Sequence, residues 1–187
     1  FPDGKKRVIT VFADPEESAS HFHSLVDLKS LLGPLPPVHV AWITNRMLEA
    51  AFYTHKAGVV NLGITPSQVL VNPEFHFLQF SFWGGTSQIS EKGKIIDSSN
   101  QKYYAPEILD GLPVSTSADI YMIARCAVFL LTKDPVPGEV LPSDPLGESG
   151  VPRPIAKFLE ACLNKNPRIR PQDAGQLRED FGTILER

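Results

Sequence analysis

No stretch of this 187-residue chain reaches the roughly 18 consecutive apolar residues of a membrane-spanning helix. The most apolar run, Ile120 to Leu131, is short and contains Arg125, so it reads as a buried helix. Positive charge is in no excess. The net charge is -3 and the isoelectric point near 6.0, which speaks against nucleic-acid binding, a role that needs a basic face. Lys165, Arg168 and Arg170 cluster near the end and read as structural and solvated charge. Cysteine is scarce: Cys126 and Cys162 stand far apart on apolar segments, without the close spacing of metal ligands, so they read as small buried hydrophobes in a reducing, cytoplasmic setting. No internal repeat is visible, and the first residues contain no apolar leader.

What is present is an ordinary apolar fraction of 42%, enough for one good core in a chain of this length. Apolar residues recur every three or four positions through Val40, Ile43, Met47, Ala50 and Ala51. With a proline near the first turn and Gly58 beyond the end, this spacing predicts a long amphipathic helix over Pro37 to Lys56. A shorter helix is expected over Ser24 to Leu32, closed by Gly33-Pro34. Val69 to Val71 and Phe77 to Phe82, separated by Asn72-Pro73-Glu74, read as a small hairpin. Ser117 to Thr132, Pro154 to Leu163 and a last segment from Pro171 to Glu186 read as helices. Asp134 to Pro154 carries six prolines and reads as an extended loop.

Five segments carry motifs. His55 to Gln68 reads HKAGVVNLGITPSQ, Leu78 to Gly84 reads LQFSFWG, and Tyr103 to Leu109 reads YYAPEIL. Ser117 to Tyr121, SADIY, opens the apolar run, and Cys162 to Pro171 reads CLNKNPRIRP. In order and spacing they resemble the protein-kinase catalytic loop, the D-F-G segment, A-P-E, the central helix of the C-terminal lobe and the arginine motif near that lobe's end. The resemblance covers roughly Ser24 to Glu186. It implies a protein-kinase-like C-terminal lobe, mainly α with a small β-hairpin, whose upper lobe is missing or vestigial.

Against that family, the scaffold letters His55, Gly58, Val59, Val60, Ile64 and Pro66 are kept and the working letters are not. Asn61, Leu62 and Gly63 stand in place of H-R-D, Thr65 in place of the lysine, and Gln68 in place of the metal-binding asparagine. Phe82 replaces the magnesium-binding aspartate, and Trp83 the phenylalanine beside it. A kinase needs those carboxylates and that asparagine to accept the hydroxyl proton and to hold magnesium. The chain therefore resembles a degenerate kinase, a pseudokinase. The resemblance further implies that Glu107 pairs with Arg170, that Asp119 accepts hydrogen bonds from the loop amides near Asn61 and Leu62, and that Trp83 is structural.

The front of the chain departs from the family. It has no G-x-G-x-x-G-x-V loop, and only about a dozen residues precede Ala13-Asp14-Pro15, too few for a strand and helix of average length. Residues 1–15 are expected to be an upper-lobe strand, Arg7 to Phe12, and an inter-lobe linker within one domain spanning 1–187. Phe1 is no initiator methionine, so a longer protein is expected. The expectation is a non-enzymatic interaction or scaffold module without cofactor or metal. It would bind a protein partner, its own missing N-terminal region or a second copy of itself. The alternative is an atypical nucleotide-binding protein or weak kinase completed by an upper lobe supplied elsewhere. Val8, Ile9, Val11, Phe12, Leu70, Phe80, Phe82 and Trp83 either form the partner face or fold inward as core of the hairpin.

Overall fold

The computed structural model describes residues 22–95, 97–133 and 151–185. The strand expected at Arg7 to Phe12, the linker after it and most of the proline-rich loop lie outside the described residues.

Chain entry is set by a short strand, β1 (His23–Ser24), leading into α1 (Leu25–Leu32). Ser24 is extended, with φ -68° and ψ 160°, and its hydroxyl accepts the Asp27 amide at 3.1 Å. The Asp27 carboxylate accepts the Ser24 amide in return, at 3.1 Å. This reciprocal pair satisfies two of the amide donors that a helix start leaves without helical partners. The Ser24 hydroxyl also donates to Asp27, and these bonds hold its carboxyl below the usual range.

Helix α2 (Pro37–Lys56) has Pro37 at its first position, where no amide proton is needed. Its buried residues Val40, Ile43, Met47 and Ala51 form the apolar face. Beyond its end Gly58 adopts φ 79°, a left-handed conformation in which a side chain would be strained, and the chain turns into β2 (Val59–Val60). α2 packs against α4 (Thr116–Leu131) on one side and α6 (Ala174–Leu185) on the other. From Ser117 to Leu131 every α4 residue except Tyr121 is buried. A helix apolar on all faces must sit at the centre, and α4 does.

β3 (Val69–Asn72) and β4 (Phe77–Phe80) form an antiparallel hairpin, with Val69 opposite Phe80 and Asn72 opposite Phe77. The Asn72 side chain accepts the Phe75 amide at 3.0 Å and closes the turn. β1 adds to the outside of β3, giving the order β1-β3-β4. β2 pairs with β5 (Ser87–Gln88) in a second, two-stranded sheet. A 3-10 helix over Ser98–Tyr103 and the short α3 (Pro106–Leu109) precede α4, and α5 (Arg153–Cys162) follows it. α5 and α6 meet through stacked rings of Phe158 and Phe181, 4.2 Å apart.

The described residues are thus mainly helical with two small antiparallel sheets. The expected long helix has the predicted bounds, while β3 runs one residue longer than expected, to Asn72, and β4 ends two residues earlier, at Phe80. The last helix begins at Ala174 rather than Pro171, because Asp173 is its cap: its carboxylate accepts the amides of Gly175 at 2.8 Å and Gln176 at 3.1 Å. The bond from Gln176 contributes most to holding the Asp173 carboxyl below its ordinary range. At Gly175 a Cβ would come within 2.6 Å of the Phe52 ring, so α6 approaches α2 where only glycine fits. No helix among the described residues is long and apolar enough to cross a membrane.

Asp173→Ala is expected to destabilise the protein by about 1 kcal/mol at neutral pH, the usual contribution of an N-cap. Because the native carboxyl is lowered, this contribution is present above the ordinary Asp pKa of about 3.9 and is lost as pH falls through the native value. Thermal unfolding of both proteins across that range should show the difference shrinking in acid.

Candidate functional site

The loop between β2 and β3 is built on a single buried carboxylate. Asp119, in the first turn of α4 and fully shielded from solvent, accepts the Asn61 amide at 2.8 Å and the Leu62 amide at 2.9 Å. His55 Nε2, at the end of α2, lies 3.0 Å from the same carboxylate. These bonds hold Leu62 at φ 55°, a left-handed conformation unusual for a residue with a side chain. Cys126 of α4 adds a thiol contact to the Ile64 carbonyl at 3.7 Å.

Around this loop the chain replaces polar chemistry with an aromatic ring. Gly63 follows Leu62, and its amide donates to Asn61 Oδ1 at 2.8 Å. Asn61 Nδ2 donates to the Phe82 carbonyl at 3.1 Å. The Phe82 ring lies directly against Gly63, so that a Cβ there would be 2.7 Å from a ring carbon. Gln68 ties to the other side of this segment, its side-chain oxygen accepting the Ser81 hydroxyl at 2.8 Å. The Thr65 hydroxyl is buried, 3.3 Å from that of Ser67. Trp83 donates its indole N–H to the Phe80 carbonyl at 3.0 Å. Among the described residues no group of three His, Cys, Asp or Glu side chains is gathered to hold a metal ion.

A second buried ionic group lies below. Arg170 donates from Nη1 to Glu107 Oε1 at 2.8 Å and from Nη2 to Oε2 at 2.5 Å, a two-pronged pair with both side chains shielded from solvent. The guanidinium also donates to the carbonyls of Asn164 at 2.7 Å and Ser117 at 2.9 Å, and it stacks over Tyr121. Both cysteines are free and buried. Burial pushes the Cys162 thiol up to about 12 and the Cys126 thiol higher still, so neither is a nucleophile.

The residues expected either at the partner face or in the hairpin core differ in their exposure. Phe80 is only 3% exposed, because alternate residues of β4 point to opposite sides and Leu78 and Phe80 face the core. Leu70, Phe82 and Trp83 are half-buried, and Val8, Ile9, Val11 and Phe12 lie outside the described residues. At the hairpin turn Phe75 and Phe77 are 65% and 52% exposed, with Phe22 edge-on to Phe77. Strand alternation counted back from the buried Phe80 would have found Phe77. The contacts of His55 and the carbonyl partners of Arg170 had no signal in the sequence. Nor did a cavity of about 430 Å³ between α1, the loop and the 3-10 helix, walled by Val26, Pro66, Ser67, Tyr103 and Phe129. Lys29, also on its wall, donates to the Phe129 carbonyl at 2.6 Å.

No family model matches the chain. Individual relatives do. The Ser/Thr protein kinase PkaA of Streptomyces coelicolor is 29% identical over 155 residues, 74% of this chain and 28% of that protein. The Ser/Thr protein kinase mos of Patiria pectinifera is 31% identical over 114 residues, 56% of this chain and 32% of the relative. The Ser/Thr protein kinase PknB of Mycobacterium tuberculosis is 21% identical over 176 residues, 84% of this chain and 28% of the relative. The chain thus spans about a third or less of the length of these relatives. They support a protein-kinase-like fold and a kinase-related domain. They also overturn one expectation. The chain was expected not to be an enzyme, because of its substituted positions, but its relatives are Ser/Thr protein kinases and point to that enzyme family.

Removing one member of a buried ion pair leaves the other charge without a partner, at a cost of about 3 to 5 kcal/mol. Arg170→Ala should lose stability on that scale in urea unfolding. Lys165→Ala, at an exposed neighbouring position, should stay within about 0.5 kcal/mol of the parent.

Proposed function

We propose that this chain is the C-terminal lobe of a kinase-related domain and acts as an interaction platform, engaging a protein partner or another domain of its own chain. The reading is carried by one contrast. The buried framework of Asp119, Glu107 and Arg170 is fully bonded, while the position between Gly63 and Gly84 is filled by the Phe82 ring. A platform needs the framework, because rigid elements hold a binding surface in place. It does not need a carboxylate at 63 or 82. An apolar ring there disfavours the unpaired negative charge of a polyphosphate. The half-buried Leu70 and Trp83 belong to the docking face, joined by exposed Phe77, and the setting is the cytoplasm.

The kinase relatives favour a second reading, in which the domain binds nucleotide and transfers phosphate once an upper lobe supplied elsewhere completes it. The two readings separate in a thermal-shift titration with ATP and magnesium, run on this chain and on this chain mixed with a separately produced kinase upper lobe. A ligand that binds only the folded state stabilises it by RT ln(1 + [L]/Kd), about 2.7 kcal/mol at a hundredfold excess over Kd. The platform reading expects no concentration-dependent rise in melting temperature in either sample. A rise, accompanied by phosphate transfer to a generic substrate, would replace it with the second.

A further inference from the structure

Two glycines near the loop cannot be explained by their backbone. Among the described residues Gly33, Gly58 and Gly111 have the positive φ that favours glycine; Gly63 and Gly84 do not. Any L residue could adopt their backbone angles, so the requirement for hydrogen lies in what stands next to them. In both cases that neighbour is the ring of Phe82. A Cβ on Gly63 would lie 2.7 Å from its Cδ1, and one on Gly84 would lie 2.5 Å from its Cζ and 2.9 Å from its Cε2. Carbon atoms in contact sit about 3.5–4.0 Å apart, so neither methyl group can be added with the ring in place. The Gly63 methyl could not escape sideways either, because Asn61 Oδ1 and the Phe82 carbonyl oxygen each lie 3.2 Å from its position.

We propose that Phe82 is a positioning residue, a clasp whose ring is held in the slot between Gly63 and Gly84 and fastens the 82–84 segment to the loop at 61–63. Asn61 completes the clasp: its amide nitrogen donates to the Phe82 carbonyl and its oxygen accepts the Gly63 amide, so one side chain spans both segments. It follows that residues 63 and 82 are one steric unit. A side chain at 63, a carboxylate included, and an aromatic ring at 82 exclude each other, and a change at either position alters what the other can be. This holds whichever ligand or partner the domain takes.

The test is a double-mutant cycle with Gly63→Ala, Phe82→Ala and the pair, read by thermal unfolding and by amide hydrogen exchange. Gly63→Ala should lower the melting temperature by roughly 2–4 °C or more. In the Phe82→Ala background the same change should cost clearly less, since the ring carbon 2.7 Å away is gone and only the two oxygens at 3.2 Å remain. Phe82→Ala should also speed exchange of the Asn61, Leu62 and Gly63 amides by roughly tenfold or more. Ile155→Val in α5, which also lowers stability, should leave those amides unchanged. If Phe82→Ala does not fold, Phe82→Leu, which removes the flat ring but keeps apolar volume, takes its place in the cycle. Additive losses, a Gly63→Ala protein as stable as the parent, or loop exchange no faster than in the Ile155→Val control would overturn the clasp.

Discussion

A single carboxylate in the first turn of α4 holds the loop on which the site is built. Asp119 is inaccessible to water, and so polar a group is tolerable there only because three partners converge on it, the amides of Asn61 and Leu62 and Nε2 of His55. Two of the three are backbone amides. The shape of the loop is therefore fixed largely without reference to its side chains, and Leu62 is kept in a left-handed conformation that costs roughly 1–2 kcal/mol. Such a loop can exchange one set of side chains for another and keep its path.

The same turn of α4 receives the second anchor. Arg170 donates to the Ser117 carbonyl as well as to Glu107, and the Thr116 hydroxyl donates to the Gln172 carbonyl. Within four residues, Thr116 to Asp119, the central helix is bonded to the loop at 61–62, and to the segment around Arg170 that also holds α3. These ties use buried charge in a low-dielectric setting, where geometry matters most. They tie the elements together at the end of α4 nearest the loop, while the opposite end is packed by apolar contacts such as the edge-on rings of Tyr103 and Phe129.

Much of this was legible in the sequence where a signal extends over several turns. α2 could be bounded because Pro37 and Gly58 punctuate a long apolar period, and α4 because its run is apolar on every face. β1, β2 and β5 are two residues each, too short to carry a period, and owe their pairing to partners distant in sequence. The inward turn of Phe80 was available from strand alternation, but in a run rich in aromatics the face is ambiguous until the register is known. The contact of Phe82 with Gly63 joins positions on different segments, and a substitution at each looked like an independent loss rather than a matched pair. Taken one by one, those losses suggest a non-enzyme, whereas similarity over most of the chain points to the Ser/Thr protein kinases.

The docking of α6 on α2 bears on how the chain comes to be folded. Asn45 on α2 accepts a hydrogen bond from Arg178 on α6, 133 residues later, and the Phe52 ring rests on Gly175. On the ribosome, α2 emerges early with that flank uncovered, and residues follow at about 5–20 per second. The flank stays open for several seconds until α6 arrives. Closure across so long a separation also carries a large loop entropy, which slows the last step relative to the local hairpin and helix pairs. During that interval the nascent chain presents the Phe52 side of α2, a face that α6 partly covers in the finished protein.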